Sequence, residues 1–303
     1  MSIVVFGSIN MDLVARTPRL PSPGETLTGH SFATAPGGKG ANQAVACARA
    51  GARTRMIGRV GDDVFGAALR ESLEGYGVDV SGVATEAGSP SGVAAIAVDD
   101  RAENTIIIVA GANGRVGAAD VARLEGALAD ARVLLLQLEV PLDAVVAAAR
   151  AARQRGVTVV LDPAPARDLP DELYGLVDII TPNETEAARL TGFPIAGADD
   201  AARAAAALRA RGVGVAAIKL GARGVYAADA GGGRLYPAFQ VKAVDTVAAG
   251  DAFNGGMAAA LSEGLPLAEA LRWGLATGAL SVTKPGAQPS MPSRQELLAL
   301  LGR

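Results

Sequence analysis

The chain alternates short, nearly continuous apolar runs with longer segments in which apolar positions recur at helical spacing. The apolar runs cover residues 3–8, 132–139, 157–163, 177–183 and 214–221. Runs of this kind are typical of strands that are buried on both faces, as in a parallel sheet. Several helical segments end in glycine, a common residue just after a helix. The pattern predicts an α/β fold in three layers, with helices on both faces of a mostly parallel central sheet.

Two stretches interrupt this alternation. Residues 13–34 are rich in proline, threonine and glycine, and residues 91–109 read as two strands joined by a polar turn, which predicts a hairpin. We expect both to form a small β-sheet lid over the carboxyl ends of the main strands; two separate surface excursions are an equally good interpretation. The apolar residues 104–109 would lie on an edge that a second subunit could cover. Without repeats or long linkers, residues 1–303 are expected to form one domain.

Composition and charge narrow the functional classes. Half of the 303 residues are hydrophobic and 4% are aromatic, a profile typical of an α/β enzyme. The net charge of −3 gives no general attraction for nucleic acid. No apolar run reaches the roughly 18 residues of a membrane span. The first ten residues read as a buried strand rather than a signal peptide, so a cytoplasmic location is the default expectation.

The rare residues exclude several kinds of chemistry. With one cysteine and one histidine, the chain can form neither an intramolecular disulfide nor a Cys/His zinc site. Cys47 lies in an apolar helical pattern and is predicted to be a core residue, whereas His30 is predicted to lie in a loop or at an edge. Acid–base chemistry must therefore depend mainly on Asp, Glu or Lys.

Polar residues just after apolar runs are candidates for ligand binding, because open α/β sheets bind ligands at the carboxyl ends of their strands. Asn10 and Asp12 follow the first strand and share a face of an extended chain. An amide and a carboxylate on one face suit a pair of sugar hydroxyls. Turn chemistry, which Asn and Asp also favour, is the alternative.

A glycine-rich segment follows at residues 36–44. It is not a Walker A loop, because Ala33 stands where the first glycine is required and Gly40 where Ser or Thr is required. The backbone of residues 37–40 can still approach a ligand closely, and Asn42 follows at a predicted helix start. A glycine-rich turn carrying Lys39 at the surface is the simpler interpretation of the segment by itself.

Three further segments carry candidate residues. Glu139 ends a buried strand, where it either contacts a ligand or belongs to the N-cap region of the next helix. Asn183 and Glu186 lie three apart at a helix start; they could hold a hydrated Mg²⁺ ion or simply form a capping box. Residues 219–224 read as a strand, a turn with two glycines and a second strand.

The segment DTVAAGDAFNGG, residues 245–256, places small residues and a glycine before Asp251 at a predicted helix start. Small residues there leave backbone N–H groups uncovered, and the helix dipole adds about half a positive charge. Such a place attracts phosphate. Phosphoryl transfer needs positioning, charge neutralisation and a group that accepts the hydroxyl proton. The segment offers all three, with Asp251 as the proton acceptor.

These motifs resemble the PfkB family of carbohydrate kinases. The two signatures are GGKGAN at residues 37–42 and DTVAAGD at residues 245–251. Within the family, DPAPARDLP at residues 162–170 and KPGAQPS at residues 284–290 are similar to the ribokinases. The resemblance covers essentially the whole chain. It implies one three-layer α/β domain with a small β lid through which two subunits pair, and transfer of the ATP γ-phosphate to the 5-hydroxyl of D-ribose.

The resemblance also implies residue roles. Asp251 matches the catalytic base, and the amides around Ala248, Ala249 and Gly250 match an anion hole. The positions matching sugar contacts are Asn10, Asp12, Gly38, Lys39, Gly40, Asn42, Glu139 and Asp251. The positions matching nucleotide and Mg²⁺ contacts are Asn183, Glu186, Lys219, Leu220, Gly221, Ala222, Arg223, Gly224, Gly250 and Leu275. The positions matching an activating monovalent cation, K⁺, are Asp245, Val247, Ser281, Lys284, Gly286 and Ser290.

Two positions depart from the family pattern. Lys219 stands where a hydroxyl residue is expected, and Leu275 stands where a polar residue is expected near adenine. Two alternatives to ribose phosphorylation remain. One is a related sugar kinase acting on 2-deoxyribose or a ketose, and the other is a non-catalytic sugar-binding regulator on the same fold.

Overall fold

The computed structural model describes residues 2–101 and 103–303. Met1, in the predicted domain 1–303, and Ala102, in the predicted lid segment 91–109, lie outside the described residues. The strands are β1 (Ser2–Phe6), β2 (Asn10–Arg16), β3 (Ser31–Gly37), β4 (Arg53–Gly61), β5 (Asp79–Glu86), β6 (Gly92–Val98), β7 (Asn104–Val109), β8 (Ala131–Leu136), β9 (Thr158–Leu161), β10 (Ile179–Ile180), β11 (Val215–Lys219), β12 (Val225–Asp229) and β13 (Gly232–Tyr236). The helices are α1 (Lys39–Arg49), α2 (Val64–Gly75), α3 (Ala118–Ala127), α4 (Leu142–Gln154), α5 (Asp171–Leu176), α6 (Glu184–Thr191), α7 (Ala198–Ala210), α8 (Ala249–Ser262), α9 (Leu267–Ser281) and α10 (Arg294–Leu301).

The main sheet has nine strands in the order β13-β12-β11-β10-β9-β8-β1-β4-β5. The strands from β11 to β5 in this order are parallel, and β12 and β13 add an antiparallel edge. The five apolar runs became β1, β8, β9, β10 and β11, so the predicted mostly parallel sheet is confirmed. The strand–turn–strand reading of residues 219–224 is also confirmed, by the antiparallel pairing of β11 with β12.

The core lies on both faces of the main sheet. Along β1, Ile3 and Val5 face a cluster with α1, α8 and α9, while Val4 and Phe6 face a second cluster with α3, α4 and α7. Alternate side chains of a strand point to opposite faces, so a strand covered on both sides must be apolar throughout. The predicted three-layer arrangement is confirmed.

A separate four-stranded sheet, the lid sheet, has the order β3-β2-β6-β7. The β6–β7 hairpin predicted within residues 91–109 is present, with Val93 opposite Val109. The segment predicted at residues 13–34 contributes parts of β2 and β3, and the sheet extends beyond it to Asn10 and Gly37. Because β2 pairs with β6, the two interruptions form one sheet and are not separate excursions.

Two smaller predictions are also confirmed. Cys47 is fully buried, with its Sγ 3.6 Å from the carbonyl oxygen of Gly255. His30 lies exposed immediately before β3, with its Nε2 3.3 Å from Asp100 Oδ1. Within residues 2–101 and 103–303, no helix has the length and apolar character needed to cross a membrane.

Candidate active site

The candidate site lies at the carboxyl ends of the central parallel strands, where α1 and α8 begin. The lid sheet leaves the main sheet at the same place, because β2 follows β1 directly and β3 ends just before α1. Parallel strands collect their carboxyl ends at one edge, where open α/β sheets bind ligands. The candidate residues of distant sequence segments therefore converge here.

The glycine-rich segment lets the start of α1 pack tightly against the end of β1. Gly38 has φ of 88°, and a Cβ there would lie 2.7 Å from the backbone nitrogen of Asn10. A Cβ on Gly40 would lie 2.7 Å from the backbone nitrogen of Ser8. Neither position accepts a side chain without displacing backbone. The glycines therefore set the position of Lys39 and Asn42 on the first turn of α1.

Glu139 contacts this first turn. Its Oε2 accepts a hydrogen bond from the Lys39 amide at 3.0 Å and another from the Ser8 hydroxyl at 2.5 Å. Its own following helix, α4, has Pro141 at the N-cap and no side-chain cap. The N-cap interpretation for that next helix is therefore wrong, because Glu139 instead stabilises the start of α1 beside the candidate sugar contacts.

Asn10 is oriented by a residue that the sequence analysis did not identify. The Nδ2 of Asn113, which is 1% exposed, donates to Asn10 Oδ1 at 2.7 Å and to the Ile9 carbonyl at 3.0 Å. The Ile9 amide donates to Asn113 Oδ1 at 2.9 Å. A Cβ on Gly92 would meet both amide side chains, at 2.1 and 2.3 Å. Asn113 and Gly92 thus fix the orientation of the Asn10 side-chain amide: its Oδ1 is held by Asn113, and its Nδ2 has no bond to Asn113.

Asp12 shares a face of β2 with Asn10 and lies opposite Ala35 of β3. Its carboxylate occupies the space beside Gly37, where a Cβ would lie 2.4 Å from Oδ2. Burial, together with the negative charges of Glu139 and Asp251, raises the pKa of Asp12 from 3.8 to about 6. The structure therefore brings Asp12, Glu139 and Asp251 into one electrostatic environment.

The first turn of α8 carries uncovered amides, as the small residues suggested. Its N-cap, Ala248, has φ of 57° and is the one non-glycine residue with positive φ among those described. The Ala249 amide bonds to Thr246, and the Ala252 amide bonds back to Ala248. The amides of Gly250 and Asp251 between them have no partner within the described part of the chain. Such amides at a helix N-terminus favour an anion.

The carboxylate of Asp251 lies beside these amides and is 5% exposed. Its Oδ2 accepts a hydrogen bond from Asn42 at 3.1 Å, and its Oδ1 accepts one from Gln43 at 3.0 Å. Burial raises the pKa of Asp251 to about 6; the nearby Lys39 charge opposes the rise and Asp162 adds to it. A carboxyl group with this pKa is ionised at neutral pH and accepts a proton more readily than an exposed aspartate does.

Asp162 is the main functional candidate that the sequence analysis missed. It follows β9, is 2% exposed, and accepts hydrogen bonds from Gln43 at 3.0 Å and from the ammonium group of Lys219 at 2.9 Å. The sequence did contain a signal. Asp162 comes at the end of the apolar run 157–163, as Glu139 comes at the end of 132–139.

A cleft of about 540 Å³, the main cleft, extends from Asp251 along the ends of β10 and β11 towards α9. The predicted nucleotide positions that line it are Asn183, Glu186, Lys219, Gly221, Ala222, Gly224, Gly250 and Leu275. Two others point elsewhere. Leu220 packs in the core at 2% exposure, and the Arg223 guanidinium donates to the Ala196 carbonyl at 2.6 Å and pairs with Glu184.

Asn183 and Glu186 form a capping box at the start of α6, which was one of the two interpretations of their spacing. The Asn183 amide donates to Glu186 Oε2 at 2.7 Å, and the Glu186 amide donates to Asn183 Oδ1 at 2.8 Å. Both residues also line the main cleft. Burial and the negative charge of Asp162 raise the pKa of Glu186, while Lys219 opposes that rise.

The acidic side chains of the site determine what kind of metal binding it allows. No cluster of three His, Cys, Asp or Glu residues suited to a metal occurs in the parts of the chain that are described. A Mg²⁺ ion that takes most of its ligands from water and phosphate needs only one or two protein carboxylates. Glu186 can provide one such carboxylate.

Most of the residues that match a monovalent cation site lie around the loop before α8. The Asp245 carboxylate accepts hydrogen bonds from the Val247 amide at 3.0 Å and from the Gly286 amide at 2.8 Å. The Lys284 amide donates to the Ser281 carbonyl at 3.1 Å, and the Asp245 amide donates to the Val282 carbonyl at 3.2 Å, which joins this turn to the loop. Ser290 is fully buried. Carboxylate, hydroxyl and carbonyl oxygens are the donors that hard cations take, so this set fits K⁺.

Residues 1–294 match the pfkB family of carbohydrate kinases. The chain belongs to this family. A ribokinase from Haemophilus influenzae is 46% identical over 300 residues, which are 99% of this chain and 98% of that protein. A ribokinase from Arabidopsis thaliana, solved with ribose and ATP, has a TM-score of 0.92 and 35% identity, covering 100% of this chain and 99% of that one. A deoxyribokinase from Salmonella typhimurium is 37% identical over 297 residues, 98% of this chain and 97% of that protein.

Proposed function

We propose that this protein is a kinase that transfers the γ-phosphate of ATP to O5 of D-ribose, giving D-ribose 5-phosphate and ADP. One observation carries the proposal: the buried Asp251 carboxylate lies beside the uncovered amides of α8, at the end of the main cleft and next to Asn42 and Asp12. A proton acceptor and an anion site thus meet between a nucleotide-sized cleft and a set of groups suited to sugar hydroxyls.

Asp251 acts as the general base. The ribose 5-hydroxyl oxygen forms a bond to the γ-phosphorus, the bond from that phosphorus to the β,γ-bridging oxygen breaks, and ADP leaves. The hydroxyl proton passes to the Asp251 carboxylate. The uncovered amides of Gly250 and Asp251, in the turn set by Ala248, would stabilise the negative charge that accumulates on the transferred group. The Ala249 amide lies beside them, and the Lys39 ammonium adds positive charge from the sugar side.

The sugar is bound by side chains on β2, α1 and the end of β8. The residues assigned to it are Asn10, Asp12, Lys39, Asn42 and Glu139, with Gly38 and Gly40 allowing close approach. ATP occupies the main cleft, with its phosphates towards Gly250 and Lys219 and its base towards Leu275. Glu186 and Asn183 are the residues that would hold hydrated Mg²⁺, which supplies neutralising charge to the phosphates when bound.

The choice of sugar is the first test of the proposal. A site that hydrogen-bonds a hydroxyl discriminates against an analogue that lacks it, because its buried polar groups are left unpaired. We expect kcat/KM for ribose to exceed that for 2-deoxyribose by at least about 100-fold. Coupled assays over pentoses and ketoses measure this ratio.

The related deoxyribokinase makes 2-deoxyribose the second candidate substrate. Asp12→Asn tests the proposed ribose contact, because it removes a charged acceptor from the sugar side of the site. We expect this variant to lose about 10- to 100-fold in kcat/KM for ribose. A wild-type preference for 2-deoxyribose would contradict the assignment of ribose, while leaving a sugar kinase in place.

A monovalent cation site beside the anion-binding turn is also proposed. The residues that would hold K⁺ are Asp245, Val247, Ser281, Lys284, Gly286 and Ser290, several through backbone oxygens. An ion held by these residues would supply positive charge to the anion-binding turn. We expect replacement of K⁺ by choline to lower kcat about tenfold, equivalent to about 1.4 kcal/mol of transition-state stabilisation. The same rate in both salts would contradict the assignment.

We further propose a homodimer formed through the lid sheet. The edge strand β7 exposes Ile106, Ile107 and Ile108 by 54, 66 and 48%, and Phe32 on the opposite edge strand by 66%. An exposed apolar edge is an assembly or aggregation surface unless a partner covers it. Sedimentation should give twice the chain mass of 30.3 kDa, and Ile107→Glu should give the monomer. Leu235→Glu on β13, away from the lid sheet, should leave the dimer intact; a monomeric wild type would contradict the proposal.

A further inference from the structure

Asp162 bridges the two halves of the site through its two oxygens. Its Oδ1 accepts a hydrogen bond from the Lys219 ammonium at 2.9 Å, and its Oδ2 accepts one from Gln43 Nε2 at 3.0 Å. The carboxylate is 2% exposed, so both bonds form away from bulk water. Charge-assisted hydrogen bonds in such an environment are short and directional.

The first contact fixes a cation on the nucleotide side. Lys219 ends β11 and lines the main cleft. Its Nζ is 3.2 Å from the point that a Cβ on Gly250 would occupy, so the ammonium group lies against the first turn of α8. A lysine has a flexible four-carbon chain. Asp162 therefore defines the position of this charge beside the uncovered Gly250 amide.

The second contact links Asp162 to the proposed base, Asp251, through Gln43. Gln43 Nε2 donates to Asp162 and also to Asp251 Oδ1, at 3.0 Å in each case. Gln137 donates to Gln43 Oε1 at 2.6 Å, which sets the orientation of the Gln43 amide. A continuous set of hydrogen bonds thus runs from Lys219 through Asp162 and Gln43 to Asp251.

We propose that Asp162 is a positioning residue that holds the Lys219 ammonium, as a ligand of the ATP phosphates, in register with the Asp251 carboxylate. The inference rests on the proposed phosphoryl transfer at this site. In-line transfer requires the phosphate and the attacking hydroxyl to be held at a defined separation, and small errors in that geometry are costly. Asp162 meets this requirement, because its one carboxylate contacts both the Lys219 ammonium and Gln43, which in turn donates to Asp251.

Asp162→Asn tests the inference directly. Asparagine has nearly the same size, but an NH₂ donor takes the place of one of the two oxygens that Lys219 and Gln43 contact, so one of these two hydrogen bonds is lost. We expect the KM for ATP to rise about tenfold and kcat to fall about 10- to 100-fold, with the KM for ribose changed by less than about twofold. The KM for ribose should change less than the KM for ATP, because the proposed sugar contacts Asn10, Asp12 and Glu139 do not contact Asp162.

A double-mutant cycle with Lys219→Met tests the connection. Lys219→Met removes the cation and Asp162→Asn releases it from its position, so both lose the same positioned charge and their effects on the KM for ATP should not multiply. We expect the double variant to bind a non-hydrolysable ATP analogue about tenfold more weakly than the wild type by calorimetry, and no more than about threefold more weakly than either single variant. Multiplicative losses would overturn the proposal.

Asp120→Asn is the matched control. Asp120 is also fully buried, and its carboxylate pairs with Arg59 at 2.9 Å and with Arg123, but it does not line the main cleft. We expect this variant to lose thermal stability and keep both KM values. If Asp162→Asn behaves in the same way, its role is structural and the inference fails.

Failure of the proposed function gives a different result. A wild-type protein that phosphorylates no pentose, or an Asp251→Asn variant with full turnover, would overturn the reaction or its base. The calorimetric cycle with the ATP analogue needs no sugar and no turnover, so it still tests the Lys219–Asp162 part of the inference.

Discussion

Asp251→Asn is expected to lower kcat by about 10²- to 10⁴-fold, the usual contribution of general-base catalysis. The substitution keeps the size of the side chain but removes the group that accepts the hydroxyl proton. Ribose affinity should change little, because Asn10, Asp12 and Glu139 remain in place. Steady-state kinetics with saturating ATP, together with ribose binding by calorimetry, measure the two effects separately.

The control for this variant is Asp63→Asn. Asp63 also stands at the start of a helix, where it caps α2 by accepting from the Gly66 amide at 2.8 Å. Asparagine caps a helix about as well as aspartate does, so kcat should be unchanged. Turnover of Asp251→Asn at the parental rate would show that another group accepts the proton.

The second large effect is a loss of activity in mild acid. Asp12 and Asp251 have pKa values raised to about 6, chiefly by burial. Both therefore take up a proton as the pH falls through 6, whereas an exposed aspartate would remain ionised to about pH 4. If both must be ionised, kcat/KM for ribose should be level above pH 7 and approach a hundredfold loss per unit below pH 6.

Asp12→Asn provides the control for this profile. It should lower kcat/KM at all pH values and reduce the slope of the acid limb to tenfold per pH unit, because only Asp251 then titrates. Circular dichroism at each pH separates protonation from unfolding. An acid limb that begins near pH 4 would mean that these carboxylates are solvated in the working enzyme.

The parallel strands were predictable because burial on both faces leaves a continuous apolar run. The same criterion missed β4, which lies beside β1 in the sheet. Arg55 and Arg59 interrupt its apolar pattern, and both are neutralised by acidic partners: Arg55 by Asp79 at 2.7 Å, and Arg59 by Asp120 and Glu86. A strand whose apolar pattern is interrupted by charged residues can be recognised only when the residues that neutralise those charges are known.

Parts of the candidate site were predictable for a similar reason. Asn10, Glu139 and Asp251 each stand at the end of an apolar run or the start of a helix, which is a local feature. Gln43 and Asn113 act through side-chain contacts across 119 and 103 residues, and no local pattern predicts such pairs. The cation positions came from family resemblance alone, since backbone oxygens leave no mark in residue type.

The burial of Cys47 has a practical consequence. The sequence has one cysteine, and burial raises the pKa of its thiol well above the ordinary range, which keeps it protonated and unreactive towards alkylating reagents. A cysteine introduced at the exposed Ser22, in the loop between β2 and β3, by Ser22→Cys, would thus be the one accessible thiol. A fluorophore attached there would report movements of the lid sheet with no background labelling, in the otherwise native enzyme.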